Sequence, residues 1–235
     1  VAIMGGSGAG KSTLLSVLNG NRRPQEGSVK VNGVSIHENP KSVEGVIGYV
    51  AQEDMLIEEL TVYQNLYFNA QLCFDYMKPD QLEALVLDIL GELGLSEIRD
   101  LKVGNYLASN NISGGQRKRL NIALELIREP SILFVDEPTS GLSSADSENV
   151  MDLLKELAHK GKLVFVVIHQ PSSELYKLFD KLLLLDHGGF PVYYGNPIEA
   201  IRYFRRNLNF VNSESVECSE CGAINPEQIF TILET

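Results

Sequence analysis

The sequence predicts an α/β fold with a mostly parallel central sheet flanked by helices, an inserted α-helical subdomain and a small antiparallel β part. A glycine-rich loop, residues 5–13, lies between an apolar run at 1–4 and a helical pattern at 14–18. Unbroken apolar runs of strand length recur at 132–135 and 163–168, and a helical pattern follows each. Such runs are typical of parallel strands that are covered on both faces.

The glycine-rich loop fits G-x-x-x-x-G-K-[S/T] in the strand-loop-helix context that the pattern requires. Its glycines let backbone N–H groups point inward, and the helix that opens near Lys11 adds its positive end, so the loop suits a polyphosphate. Lys11 supplies a full charge for the outer phosphates, and the Ser12 hydroxyl suits a bridging Mg²⁺. By itself the loop predicts a nucleoside triphosphate site, with an incidental glycine-rich turn as the alternative. The predicted binding residues are Gly5, Gly6, Ser7, Gly8, Ala9, Gly10, Lys11, Ser12 and Thr13.

The composition of the chain argues against nucleic-acid binding and against a membrane-spanning segment. The formal net charge is -11, which argues against nucleic-acid binding because such proteins need a basic surface. The longest apolar run, 163–168, is far too short to cross a bilayer, and no signal peptide is visible. We expect reduced thiols at Cys73, Cys218 and Cys221; the Cys218-x-x-Cys221 spacing resembles half a zinc knuckle, so zinc stays open as the less favoured alternative.

Further elements follow from local patterns. Residues 28–36 alternate apolar with polar and turn at Asn32-Gly33, which predicts a hairpin. Residues 46–51 read as a strand that ends at Gln52, and residues 61–95 change to helical spacing closed by a glycine. A helix is predicted at about 145–159 and a strand at 181–186.

Reactive side chains follow the predicted parallel strands. Asp136 and Glu137 end one strand and His169 ends the next, at the sheet edge where ligands bind in open parallel sheets. We expect Asp136 to contact magnesium, either directly or through one of the ion's own ligands. We expect Glu137 to orient and polarise an attacking water, and His169 to bond the γ-phosphate or that water. The alternatives are a helix cap or solvated turn for the acids and a structural histidine capping the next helix. The phosphate loop, Gln52, the two acids and His169 are expected to meet at one rim.

A second helix start also suits an anion. Ser113 and the Gly114-Gly115 pair precede a helix that runs to about Arg128, which exposes free N–H groups beside a hydroxyl. Since the chain has a single phosphate loop, this start is expected to contact nucleotide held by another copy or a related partner.

Taken in order, these motifs resemble the ATP-binding cassette of ABC transporters across nearly the whole chain. Residues 49–54, 113–123 and 168–173 are similar to the G subfamily, the White-type exporters, and 225–230 resembles that group's element leading toward the membrane domain. The motifs that carry the resemblance are the phosphate loop, Gln52, Ile112-Ser113-Gly114-Gly115-Gln116, Asp136-Glu137 and His169.

The resemblance implies two cassettes that sandwich ATP and Mg²⁺, acting at the cytoplasmic face of the membrane on a transmembrane partner domain. It implies that Glu137 is the catalytic carboxylate, that His169 contacts the γ-phosphate, and that Gln52 senses magnesium and the transmembrane partner. The opposite cassette would contribute Ser113, Gly114, Gly115 and Gln116. It also implies one ATPase domain, with an α/β core at 1–54 and 130–205, a helical subdomain at 55–129 and an extension at 206–235.

The sequence departs from the family pattern at two places. The family usually has aspartate where this chain has Ser143; serine can cap the next helix, with Asp146 completing a capping box, and weaker hydrolysis or coupling is expected. The chain starts four residues before the phosphate loop, so we expect a fragment that lacks N-terminal strands and the aromatic residue that stacks on adenine, with weak binding and little base discrimination.

Two other functions remain open. One is a soluble ABC ATPase of DNA repair or translation, although the interval from Gln52 to Ser113 reads as short helices rather than a long coiled coil. The other is a module that dimerises on ATP with little turnover, which Ser143 favours and Glu137 opposes.

Overall fold

The computed structural model describes residues 1–104, 111–207, 224, 226 and 229. The predictions for Cys218 and Cys221, and most of 225–230, lie outside these residues. The chain divides into two compact units. The first unit comprises Val1–Ser42, Val135–Glu137 and Leu163–Thr235, and the second comprises Val43–Phe134 and Pro138–Lys162.

The described strands are β1 (Ala2–Gly5), β2 (Lys30–Val31), β3 (Val34–Ser35), β4 (Ile47–Val50), β5 (Ile132–Asp136), β6 (Leu163–Val167), β7 (Leu182–Leu185) and β8 (Pro191–Gly195). The described helices are α1 (Lys11–Leu18), α2 (Val62–Cys73), α3 (Pro79–Glu92), α4 (Gly114–Leu126), α5 (Ser144–His159), α6 (Ser173–Lys177) and α7 (Pro197–Asn207).

The first unit is built on a mostly parallel sheet, which confirms the predicted fold class. Strand β1 pairs in parallel with β6 on one side and with β7 on the other. Strand β8 pairs antiparallel with β7 at the edge. The apolar residues of β1 are fully buried, as expected for a strand covered on both faces. The sheet therefore carries the glycine-rich loop on one of its innermost strands.

Two elements of this unit were not predicted. Strand β8 and helix α7 follow the last predicted strand, and α7 buries Ala200, Ile201 and Phe204. The hydroxyl of the buried Tyr176, on α6, donates to the Pro197 carbonyl oxygen at 2.6 Å. This bond fixes the first residue of α7. The predicted hairpin is present as β2 and β3, which pair antiparallel.

The second unit is mainly helical, as the spacing of residues 61–95 predicts. That stretch forms two helices, α2 and α3, which pack on each other and on α4. Thr61 caps α2 in a complete capping box with Gln64, and α3 has Pro79 at its first position, two local signals of helix starts. Strand β4 lies beside the start of β5, where the Ile132 N–H donates to the Val46 carbonyl oxygen. Among the described residues, no helix is long and apolar enough to cross a membrane.

Candidate functional site

The glycine-rich loop has the backbone that a phosphate-binding loop needs. It leaves β1 at Gly5 and enters α1 at Lys11, with Gly8 and Gly10 at φ values of 77° and 86°. A Cβ atom at Gly5 would lie 2.5 Å from the Leu185 carbonyl oxygen, so the loop base is pressed against the end of β7. At Gly6 a Cβ would meet nothing within 4 Å, so the outer part of the loop is open.

Lys11 lies inside the loop. Its Nζ atom donates to the carbonyl oxygens of Gly5 and Gly6 at 3.0 and 2.9 Å. Burial lowers the pKa of Lys11, and the nearby charges of Glu137 and Asp136 oppose that shift. The ammonium group is therefore within electrostatic reach of both acids that were predicted to share its site.

The two acids leave β5 with different surroundings. Asp136 is the last residue of the strand and is 6% exposed. Glu137 has a φ of 43°, in the left-handed region, and its N–H donates to the Val167 carbonyl oxygen at 3.0 Å. A left-handed non-glycine residue costs about 1–3 kcal/mol and persists only where its surroundings hold it. The end of β6 thus helps to fix the backbone of the predicted catalytic carboxylate.

His169 lies beside this carboxylate. Its Nε2 atom is 3.8 Å from the Glu137 Oε1 atom, too far for a hydrogen bond. The side chains are 44% and 22% exposed, so both reach solvent. Gln170 follows with a φ of 38°, so the chain turns directly after the histidine, as the sequence predicts. The first unit therefore brings together Lys11, Asp136, Glu137 and His169.

The predicted second anion site is a capped helix start in the other unit. The Ser113 hydroxyl accepts from the Gln116 N–H at 3.2 Å, and the Gln116 Oε1 atom accepts from the Ser113 N–H at 2.8 Å. Gly115 is needed here because a Cβ would collide with the Asp146 carboxylate. Ser113, Gly114, Gly115 and Gln116 therefore form the expected N-terminus of α4, and their contact with nucleotide stays a prediction.

The start of α5 differs from its prediction. Ser143 caps this helix by accepting from the Asp146 N–H at 3.1 Å. The Asp146 carboxylate was expected to complete a capping box by accepting from the serine backbone. It instead accepts from the Ser143 hydroxyl at 2.9 Å, because that hydroxyl still has a proton to donate after it has accepted from the backbone.

Gln52 follows β4 and belongs to the second unit, as does the start of α4. Its backbone carbonyl oxygen accepts from the Lys118 Nζ atom at 3.0 Å. Its predicted place beside the phosphate loop stays a prediction. Sequence reasoning gave no role to Lys118 or to Arg117, although two cations in the first turns of a helix oppose its dipole and indicate specific partners.

Ser12 and Asp136 carry oxygen atoms of the kind that bind Mg²⁺ beside a nucleotide. Within the described part of the chain, no cluster of three or more His, Cys, Asp or Glu could hold a metal. Mg²⁺ usually takes one or two protein oxygen ligands and completes its shell with water and phosphate oxygens. The hydroxyl of Ser12 and the carboxylate of Asp136 fit that requirement, and Gln52 is the third predicted ligand.

These features define a phosphate-loop protein with a mostly parallel sheet. A protein-family model described as "ABC transporter" matches residues 1–140, and one described as "ABC-2 type transporter" matches residues 169–220. The chain therefore belongs to the ABC transporter family.

Its relatives include transporters of the G family. "ABC transporter G family member 28" of Arabidopsis thaliana is 41% identical over 92% of this chain and 19% of its own length. "Broad substrate specificity ATP-binding cassette transporter ABCG2" of Rattus norvegicus is 41% identical over 86% of this chain and 31% of its own length. "ABC-type transporter claG" of Penicillium crustosum is 39% identical over 87% of this chain and 27% of its own length. The chain thus spans less than a third of each of these relatives.

Proposed function

We propose that this chain is the ATP-hydrolysing cassette of a G-type ABC exporter, working as one of a pair at the cytoplasmic face of a membrane. The observation that carries the proposal is the meeting of Lys11, Glu137 and His169 in the first unit. Lys11 is a cation inside the phosphate loop, Glu137 is a carboxylate near it, and the His169 imidazole lies 3.8 Å from that carboxylate. These groups suit phosphoryl transfer to water, which depends on charge neutralisation and on a group that orients the water.

Each group has a separate task. The backbone amides of residues 5–13 bind the phosphates, and Lys11 neutralises charge on their outer oxygens. Glu137 accepts a hydrogen bond from the attacking water and turns its lone pair toward phosphorus. His169 donates to a γ-phosphate oxygen, where negative charge is stabilised. Bound Mg²⁺ would supply further charge neutralisation, held by the Ser12 hydroxyl, the Asp136 carboxylate and Gln52.

The second cassette and the membrane domain complete the proposal. The start of α4 offers the nucleotide of the opposite cassette the N–H groups that lie outside its capping box, those of Gly114 and Gly115 between Ser113 and Gln116. The match of residues 169–220 to the ABC-2 type transporter description supports a transmembrane partner domain in the same or another chain. The names of the relatives support transport as the process that hydrolysis drives.

The test compares phosphate release by the full-length wild-type protein and its Glu137→Gln variant. Loss of the carboxylate is expected to lower kcat by about 10²–10⁴-fold, while the affinity for a fluorescent ATP analogue changes little because the phosphate loop is intact. Glu174→Gln is the control, since Glu174 is an exposed acid of the same unit that pairs with Lys177. Equal rates for wild type and Glu137→Gln would remove Glu137 from the mechanism and refute the proposal.

A dimerisation module with little turnover is the second candidate. It is favoured by Ser143, whose hydroxyl bonds Asp146 of its own helix where the family usually has a carboxylate. Its signature would be ATP-dependent dimerisation that Glu137→Gln leaves unchanged, with phosphate release near background in the wild type.

A further inference from the structure

Two consecutive basic residues of α4 are buried although they follow the capped start of the helix. Arg117 and Lys118 are 6% and 8% exposed. Charged groups are costly to bury without partners, and the positive end of a helix repels cations. Their burial therefore calls for strong, directed contacts.

Arg117 contacts the segment that follows Gln52. Its Nε and Nη2 atoms bind the two Asp54 carboxylate oxygens at 2.8 and 3.2 Å. Its Nη1 atom donates to the Gly104 carbonyl oxygen at 2.6 Å, and the Glu58 Oε1 atom lies 3.9 Å from Nη2. A bidentate arginine-carboxylate pair fixes direction as well as distance, so Asp54 is held in one orientation on α4.

Lys118 holds the other end of the same segment. Its Nζ atom donates to the carbonyl oxygens of Ala51 and Gln52 at 3.3 and 3.0 Å. Two neighbouring residues of one helix thus hold residues 51–54, a stretch outside helices and strands. Gln52, the predicted contact to metal and transmembrane partner, is bound through its own backbone.

Asn65, on α2, fixes the next part of this loop. Its side-chain oxygen accepts from the Ile57 N–H at 2.8 Å, and its side-chain nitrogen donates to the Ile57 carbonyl oxygen at 3.0 Å. Side chains of helices therefore hold this loop, residues 51–57, at Ala51, Gln52, Asp54 and Ile57. Of these side chains, Arg117 and Lys118 come from the helix whose N-terminus is the proposed nucleotide contact.

We propose that Arg117 and Lys118 are positioning residues. They hold the Gln52 loop, residues 51–57, at a fixed position relative to the N-terminus of α4. When nucleotide draws Ser113 to Gln116 toward its phosphates, the loop moves with the helix because Asp54 and Gln52 are bonded to it. The inference rests on the proposed function, since it assumes that the start of α4 binds the opposite nucleotide. It adds that occupancy of this helix start is transmitted to Gln52 through these two side chains.

The test is hydrogen exchange of backbone amides in the full-length protein, with and without a non-hydrolysable ATP analogue. In the wild type, the analogue is expected to slow exchange at residues 51–58 together with residues 113–118. In Asp54→Asn and in Lys118→Met, the loop is expected to exchange about ten- to a hundredfold faster, because a charge-assisted bond is lost, and to stop responding to the analogue while 113–118 still respond. Lys118→Met removes the two bonds to backbone carbonyl oxygens and leaves the Arg117–Asp54 pair in place, so it remains informative if Asp54→Asn folds poorly.

Two controls separate positioning from general stability. Arg119→Lys alters a guanidinium of the same helix that donates to the Leu93 carbonyl oxygen, and the loop should respond to the analogue as in the wild type. Asp54→Asn combined with Arg117→Gln should loosen the loop no more than the larger single effect, because the two residues act as one pair.

The outcomes distinguish this inference from the proposed function. A loop that still follows α4 in both Asp54→Asn and Lys118→Met, or additive effects in the double variant, would overturn the positioning role. If the analogue protects neither residues 5–13 nor residues 113–118 in the wild type, the proposed function itself fails. Protection of 5–13 and 113–118 without any response at 51–58 in the wild type would refute the inference and leave the proposed function standing.

Discussion

Two neighbouring glycines in the phosphate loop give a matched test of its packing. In Gly5→Ala the new Cβ atom would lie 2.5 Å from the Leu185 carbonyl oxygen and 3.2 Å from the Ala9 Cβ atom. In Gly6→Ala the new Cβ atom would meet nothing within 4 Å. The two substitutions add the same methyl group one residue apart, so their difference reports the packing of the loop base alone.

The size of the effect follows from the contact. The Gly5→Ala methyl is about 0.9 Å short of ordinary contact with a backbone atom, which cannot rotate away. Such overpacking costs about 1–3 kcal/mol, and about 2–4 °C of Tm are lost per kcal/mol in a chain of this length. We expect Tm to fall by about 2–12 °C in Gly5→Ala. Gly6→Ala should be neutral or should stabilise by up to about 1 kcal/mol, since alanine restricts the unfolded chain.

The assay is thermal unfolding of the nucleotide-free protein, followed by circular dichroism. Working without nucleotide keeps any change in phosphate affinity out of the comparison. A Gly5→Ala variant that melts at or above the Tm of Gly6→Ala would show that β7 does not confine the loop base, and the reasoning would be wrong.

Three further substitutions test other contacts by chemical denaturation. Asp146→Asn should lower the free energy of unfolding by about 0.3–1 kcal/mol, because the first turn of α5 loses its negative charge and the Ser143 hydroxyl loses a charged acceptor. An unchanged denaturation midpoint would contradict this expectation. Tyr176→Phe should cost about 1 kcal/mol at neutral pH. Burial raises the pKa of Tyr176, so the wild type should lose stability as pH rises above about 10, and this loss should be smaller in the variant. Asn65→Ala should cost about 1–3 kcal/mol because both backbone groups of Ile57 lose their partner, and a smaller loss than in Asp146→Asn would argue against that account.

Local patterns predicted most of the fold. The loop at 5–13, the helix start at Ser113 and the helical spacing of residues 61–95 are patterns of near neighbours in sequence, and the structure contains all three. Helix α4 ends at Leu126, two residues before the predicted end at Arg128. Helix ends fray, so this difference has no functional weight.

Contacts between distant residues were not predictable in the same way. The Asp54 carboxylate and the Arg117 guanidinium are 63 positions apart, and Gly5 lies against Leu185, a residue from a distant part of the sequence. Periodicity reports which face of an element is buried but not which side chain it meets. For the candidate site, the types and order of residues predicted the groups near Lys11, whereas the left-handed backbone of Glu137 appears only in the structure.

At Glu137 the left-handed backbone lowers the stability of the fold, whereas the side chain is the carboxylate of the proposed hydrolysis. Glycine adopts a positive φ without steric cost, so Glu137→Gly would relieve about 1–3 kcal/mol of backbone strain, more than the roughly 0.5–1 kcal/mol that glycine's larger loss of conformational entropy costs. It would at the same time lack the carboxylate on which the proposed hydrolysis depends. Screens that select only for heat resistance should therefore enrich inactive variants at this residue, a trade-off common in enzyme sites.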